Sequence, residues 1–156
     1  MRFHEAGLDP LQSTTNTNSL FAGEAMAKQI FVNFPVKDLR RSIRFFESLG
    51  FAFDPKFTDE KAGCLILGEN MYAMLLDEEF FKTFTRKTLC DATHSTEVLV
   101  AITCDSRSQV DDLVAKAVKA GGRISREPED HGFMYGHAFE DPDGHIWEPF
   151  YMQPQG

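Results

Sequence analysis

Two strand-to-helix corners, Val36-Lys37-Asp38 and Cys104-Asp105-Ser106, stand 68 positions apart, and the same kinds of segment flank both. This internal repeat constrains the fold more than any other feature, because a repeated pattern predicts one supersecondary unit built twice. In the first copy QIFVNFPV, from Gln29, reads as a strand rich in β-branched and aromatic residues. DLRRSIRFFESLG follows as an amphipathic helix capped by Asp38 and stopped by Gly50, with Leu39, Ile43, Phe46 and Leu49 on its apolar stripe. Short strands are predicted near residue 51, at 62–68 and at 71–76, the last two joined by Glu69 and Asn70. Residues 79–95 read as a short helix and a polar crossover. The second copy opens with TEVLVAITCD and a helix over SRSQVDDLVAKAVKAGG, capped at Ser106 or Ser108 and stopped by Gly121-Gly122. Short strands follow again.

A βαβββ unit alone leaves one sheet face bare. The expected fold is therefore α+β, with two βαβββ modules, 28–77 and 95–153, whose mixed sheets enclose a cleft suited to a small molecule. The modules form one domain over residues 26–156. Residues 1–25 are rich in Ser, Thr and Asn without sustained periodicity and read as a flexible N-terminal extension.

Charge and cysteine usage narrow the classes of partner. A net charge of −8 without a Lys/Arg run opposes binding to nucleic acid or to an anionic membrane, which leaves a small molecule or another protein. Cys64, Cys90 and Cys104 lack metal-finger spacing and predict free thiols in a reducing compartment, the cytoplasm. No apolar run approaches the roughly 20 residues of a membrane span.

The stretch FEDPDGHIWEPF, from Phe139 to Phe150, predicts a hairpin: proline presets the turn, the aspartates bond nearby backbone and glycine takes positive φ. Beyond the turn, alternation puts Ile146, Glu148 and Phe150 on one face and His145, Trp147 and Tyr151 on the other. A carboxylate between sheets needs a partner, a proton or a cation. Glu148 therefore reads either as a ligand-binding or catalytic group or as a structural carboxylate paired to a neighbouring His or Tyr. His137 reads as a cleft residue or as a satisfied strand histidine. Phe31, Trp147, Phe133 and Tyr135 are candidates for an aromatic pocket, with plain core as the alternative. FFKTFTRK, residues 80–87, fits a lid or a dimer contact.

The paired modules, the corner VKDLRRSIRFFESLGF, the AGG helix stop and the ending FEDPDGHIWE resemble the vicinal oxygen chelate superfamily of glyoxalases, extradiol dioxygenases and bleomycin or fosfomycin resistance proteins. The resemblance covers about residues 28–152. It implies a divalent metal held in the cleft by ligands from the first and last strands of each module, acting as a Lewis acid on a substrate that chelates it. Carried over position by position, the first-strand histidine is Phe31, its counterpart in the second module is Leu99, and the last strand of the first module offers Met74, Leu75 or Leu76. Only Glu148 is kept. No metal residue is therefore assigned and no cofactor is expected, because a divalent ion would need a rebuilt site that includes Glu148 with His137, Asn33 or Glu97.

The sequence thus leads to a small-molecule protein of this superfamily, expected to be a homodimer. Glu148 and His137 are the catalytic candidates, and Phe31, Asn33, Leu99, Trp147, Tyr135 and Phe133 the ligand-binding ones. If it is an enzyme, the resemblance implies lyase or dioxygenase-like chemistry, with Glu148 as a metal-free base. A binding protein of the bleomycin-resistance type, which sequesters its ligand, is the alternative.

Overall fold

The computed structural model describes residues 25–156, so the reading of residues 1–25 as an extension falls, apart from Ala25, outside the described residues. The first module runs β1 (Ile30–Val36), α1 (Leu39–Ser48), β2 (Ala52–Phe53), a 3-10 turn (Pro55–Phe57), β3 (Ala62–Gly68) and β4 (Met71–Asp77). A short helix α2 (Glu78–Lys82) opens the crossover to β5 (Leu99–Thr103), α3 (Arg107–Lys119), β6 (Arg123–Asp130), β7 (Met134–Glu140) and β8 (Ile146–Met152). Each module forms a four-stranded mixed sheet, in the orders β1-β4-β3-β2 and β5-β8-β7-β6, with the first and last strands parallel. The fold is the expected α+β pair of βαβββ units.

Local chemistry sets the boundaries. Asp38 accepts the Arg41 amide at 3.1 Å and begins α1, Ser106 does the same for Gln109 at the start of α3, and Gly50 and Gly121 end the two helices with φ of 98° and 105°. Asn70 turns β3 into β4 at φ 61°, a conformation that asparagine tolerates better than most residues.

The cleft takes a form that the repeat did not reveal. Instead of facing each other across a hollow, the sheets turn their helix-covered sides together. From α1, Leu39 and Ile43 lie against Gly63 of β3, while Phe46 meets Trp147 of β8 at 5.1 Å and Phe45 meets Phe139 of β7 at 6.2 Å. Phe34, Leu65, Leu75, Val114, Phe139 and Trp147 belong to one continuous buried cluster. Core parity on β1 and β8 thus leaves Phe31 and Asn33, and Ile146 and Glu148, on open faces that point outward.

A polar clamp joins the modules beside this core. Asp143 of the DPDG turn accepts the Lys37 amide at 2.9 Å, the Ser42 hydroxyl at 3.2 Å and the Arg41 guanidinium at 3.4 Å. Asp141 accepts the amides of Asp143 and His145 on one oxygen and the Trp147 indole N–H on the other. His145 Nε2 donates to the Pro35 carbonyl at 2.8 Å. Gly144 closes the turn at φ 92°, and a Cβ there would stand 2.6 Å from the Ala92 carbonyl oxygen.

Two outcomes follow from the clamp. Replacing Asp143 with Ala strips acceptors from buried donors of the other module and is expected to cost about 2–4 kcal/mol in denaturant unfolding, against less than about 1 kcal/mol for Arg41→Ala, whose side chain is partly exposed. Burial pushes the Asp141 carboxyl above the usual carboxylate range, against the opposing pull of His145 and the Trp147 indole N–H. A raised folded value stabilises fully below the unfolded carboxylate pKa and loses that contribution as pH rises through the folded value. The stability margin of the parent over Asp141→Asn should therefore shrink as pH rises from the unfolded carboxylate value of about 4 toward neutrality. Urea unfolding of both proteins across that range checks this, and a widening margin would contradict it.

Candidate functional site

On the open face of the second sheet, Glu148 has a small neighbour on either side. The register sets Ala101 beside it on β5; Gly136 opposite Phe150 and Phe139 opposite Trp147 bring Ala138 beside it on β7. One strand further, Arg126 of β6 is paired with Ala138 and reaches across that alanine, so that its Nη1 lies 3.3 Å from Glu148 Oε1. The same guanidinium bonds Glu129 at 3.2 Å. Glu148 retains about a fifth of its side-chain exposure and borders a hollow of about 280 Å³, whose lining includes Ala101, Arg126, Met134, Phe150 and Met152. The cation that this carboxylate required is therefore a side chain of its own sheet. Arg126 was not singled out in the sequence, because β6 carries register shifts on both sides of it that hide which face it takes.

The other candidates are distributed by strand parity. His137 contributes to the same hollow and was expected beside Glu148, yet on β7 it shares a face with Tyr135 and Phe139, both directed at the helices. It is buried, and its Nδ1 accepts the Ala138 amide at 2.9 Å. Parity thus sets it on the opposite face of the sheet from Glu148 and separates the two proposed catalytic residues. Trp147, expected along a pocket wall, is a core residue, because its ring has to fill the space between Phe34 and Phe46. Tyr135 turns toward α3: its hydroxyl donates to Asp111 at 2.6 Å, a bond that pushes its pKa up to about 12, and Arg107 lies 5.2 Å above the ring. Phe133 is exposed in the loop before β7.

Phe31 and Leu99 lie on the open side of their strands and are exposed, Phe31 stacked on Tyr72 at 4.7 Å. Asn33 pairs with Met74 in the first sheet as Ala101 pairs with Glu148 in the second, so Met74 is the counterpart of Glu148 in the repeat. Leu75 lies in the core. Glu97 precedes β5 and lines a hollow under the crossover. The thiols of Cys64, Cys90 and Cys104 are free, and burial, followed by Asp54, pushes the Cys64 thiol up. Among the described residues no helix is long and apolar enough to cross a membrane.

A divalent metal does not fit this set. The four positions that would hold one present a phenyl ring, a thioether, an isobutyl group and a single carboxylate already bonded to arginine. Among the described residues no three of His, Cys, Asp and Glu are grouped to replace them.

Comparison with known proteins agrees with this architecture. The hypothetical protein SA1046 from S. aureus is 28% identical, with 81% of this chain and 95% of that one covered at a TM-score of 0.70. A glyoxalase-related enzyme from Fulvimarina pelagi is 21% identical over 80% of this chain and 88% of its own, at 0.68. A glyoxalase/bleomycin resistance protein/dioxygenase family enzyme from Burkholderia phytofirmans PsJN is 17% identical over 78% and 96%, at 0.65. At these last two identities the likeness is one of fold. No protein of curated function matches the chain. Residues 28–148, most of the chain, match the family described as Glyoxalase/Bleomycin resistance protein/Dioxygenase superfamily, and the chain belongs to that superfamily.

Proposed function

We propose that this protein binds a small organic molecule on its open sheet faces without a divalent metal, as a homodimer, and sequesters that molecule rather than transforming it. The observation that carries the reading is the pairing of Glu148 with Arg126, since the carboxylate that would anchor an ion has an internal cation instead. Lyase or dioxygenase chemistry of the superfamily's metal-dependent kind would lack its electrophile on this donor set. The hollow beside the pair combines an aromatic ring, two thioethers and a few charged groups, the usual mixture of a small-ligand site. A net charge of −8 supports such a ligand over nucleic acid or an anionic membrane.

The edges of the sheets support the dimer. The outer edges are blunted: β2 has two residues, and β6 carries Pro128 among five charged side chains. The other edges, β1 and β5, carry no charge and expose Ile30, Phe31 and Leu99. Uncharged apolar edges of this kind are surfaces that other chains cover. A second copy laid along them would give each outward face a facing wall and so complete a cleft.

Elemental analysis of the purified protein should find no stoichiometric zinc, nickel or iron. About one metal per chain, lost in Glu148→Gln, would overturn the reading. In a thermal-shift screen of small molecules, a true ligand raises the melting temperature of the parent and loses that effect in Glu148→Gln or Arg126→Ala. Arg126→Ala by itself should change stability by less than about 1 kcal/mol, as its ion pairs are partly solvated. Turnover of the ligand by the parent protein would replace sequestration with catalysis.

A further inference from the structure

The open face of the first sheet holds a second hollow, of about 400 Å³, that shares no lining residue with the one beside Glu148. Its floor is Asn33 of β1, Met74 and Leu76 of β4 and Ala62 of β3. Its two walls are aromatic. Phe57 closes the 3-10 turn on one side, and Phe80 and Phe84, edge to face at 5.0 Å, rise from α2 and its end on the other. Phe57 is 61% exposed and Phe84 68%, a high degree for side chains of this kind.

Short, well-capped turns hold both walls. Asp54 accepts the Lys56 amide ahead of Phe57, with Pro55 fixing the first dihedral of the turn. Asp77 accepts the Glu79 amide ahead of Phe80, and the Thr83 hydroxyl donates to the Phe80 carbonyl. The rings are therefore positioned before any ligand arrives, which lowers the ordering cost of binding. On the floor, Asn33 brings a side-chain amide whose N–H donor and carbonyl acceptor lie side by side. Charge enters only at the rim, where Lys56 and Asp59 are of opposite sign.

We infer that this hollow is a binding site for a neutral, planar aromatic ring that carries adjacent hydrogen-bond donor and acceptor atoms, as in a fused lactam, with the phenylalanines contacting its ring and Asn33 pairing its polar edge. Flat faces favour aromatic walls through offset and edge-to-face contact, and the volume accommodates a bicyclic ring. The absence of a charged group from the floor favours a neutral molecule, since an ion would be desolvated there without a partner. The inference deepens the proposed function, since this hollow lies on one of the two open faces, but it shares no residue with the Glu148 hollow.

Calorimetric or ligand-observed NMR titration with 2-quinolinone tests the inference. N-methyl-2-quinolinone, which lacks the donor, and δ-valerolactam, which lacks the ring, serve as comparisons. The parent should bind 2-quinolinone in about the millimolar range expected for a fragment of this size, N-methyl-2-quinolinone more weakly, and δ-valerolactam not measurably. Phe57→Ala and Phe84→Ala should each weaken 2-quinolinone about three- to tenfold, and Phe84→Leu, which keeps an apolar side chain in a folded protein, should do the same. Asn33→Ala should abolish the preference for 2-quinolinone over its N-methyl form. Glu148→Gln should leave all of these affinities unchanged, which separates a failure here from a failure of the proposed function. No binding of 2-quinolinone, binding indifferent to the phenylalanine variants, or binding lost in Glu148→Gln would each overturn the inference.

Discussion

The two halves of this protein are one body because a buried aspartate of the last hairpin is satisfied by donors from the first module. Asp143 takes the Lys37 amide, Ser42 and Arg41, while Asp141 braces the same turn and the Trp147 indole. Buried carboxylates are tolerable only when so many donors converge on them. The clamp also aligns the core, as His145 ties β1 to the turn and Trp147 is then held between Phe34 and Phe46. The outward direction of both open faces follows from this arrangement.

The duplicated units have diverged at the positions where chemistry would occur. Met74 and Glu148 are counterparts in register, as are Asn33 and Ala101, so one sheet offers a thioether and an amide where the other offers a carboxylate beside a methyl group. Glu148 tolerates its half-buried place because Ala138 is small enough for Arg126 to reach over it. A partly solvated pair of this kind adds little stability, but it occupies the carboxylate with a cation that cannot leave the chain. The first sheet has instead gathered phenylalanines around an uncharged floor. The two hollows thus call for different ligand chemistry within one repeat.

Much of the architecture was legible because its signals are local. Asp38 and Ser106 as caps, Gly50 and Gly121 as stops and the DPDG turn each act within a few residues, and the repeat then supplied the module count. What could not be read depends on register and on which sides of the sheets meet. Parity within β8 correctly separated Glu148 from Trp147, yet it could not say that the Trp147 side is filled by α1 rather than by a ligand. His137 was grouped with Glu148 because the relative parity of β7 and β8 is set only by the hairpin pairing. Arg126 lay hidden behind the irregular pairing of β6, and Phe57, Phe80 and Phe84 converge only after the first sheet has closed.

The clamp has a consequence for how the chain acquires its structure. The bonds from Asp143 and His145 to the first module span 101 to 110 residues. Contacts of such long range form late, after the entropy of closing the chain has been met. During synthesis the first module emerges with Phe34, Phe45 and Phe46 lacking the aromatic partners that the last two strands provide. Until the last hairpin emerges, that side of α1 is an uncovered apolar surface of the kind chaperones engage, so the hairpin's arrival is the step that commits the nascent chain to its native state.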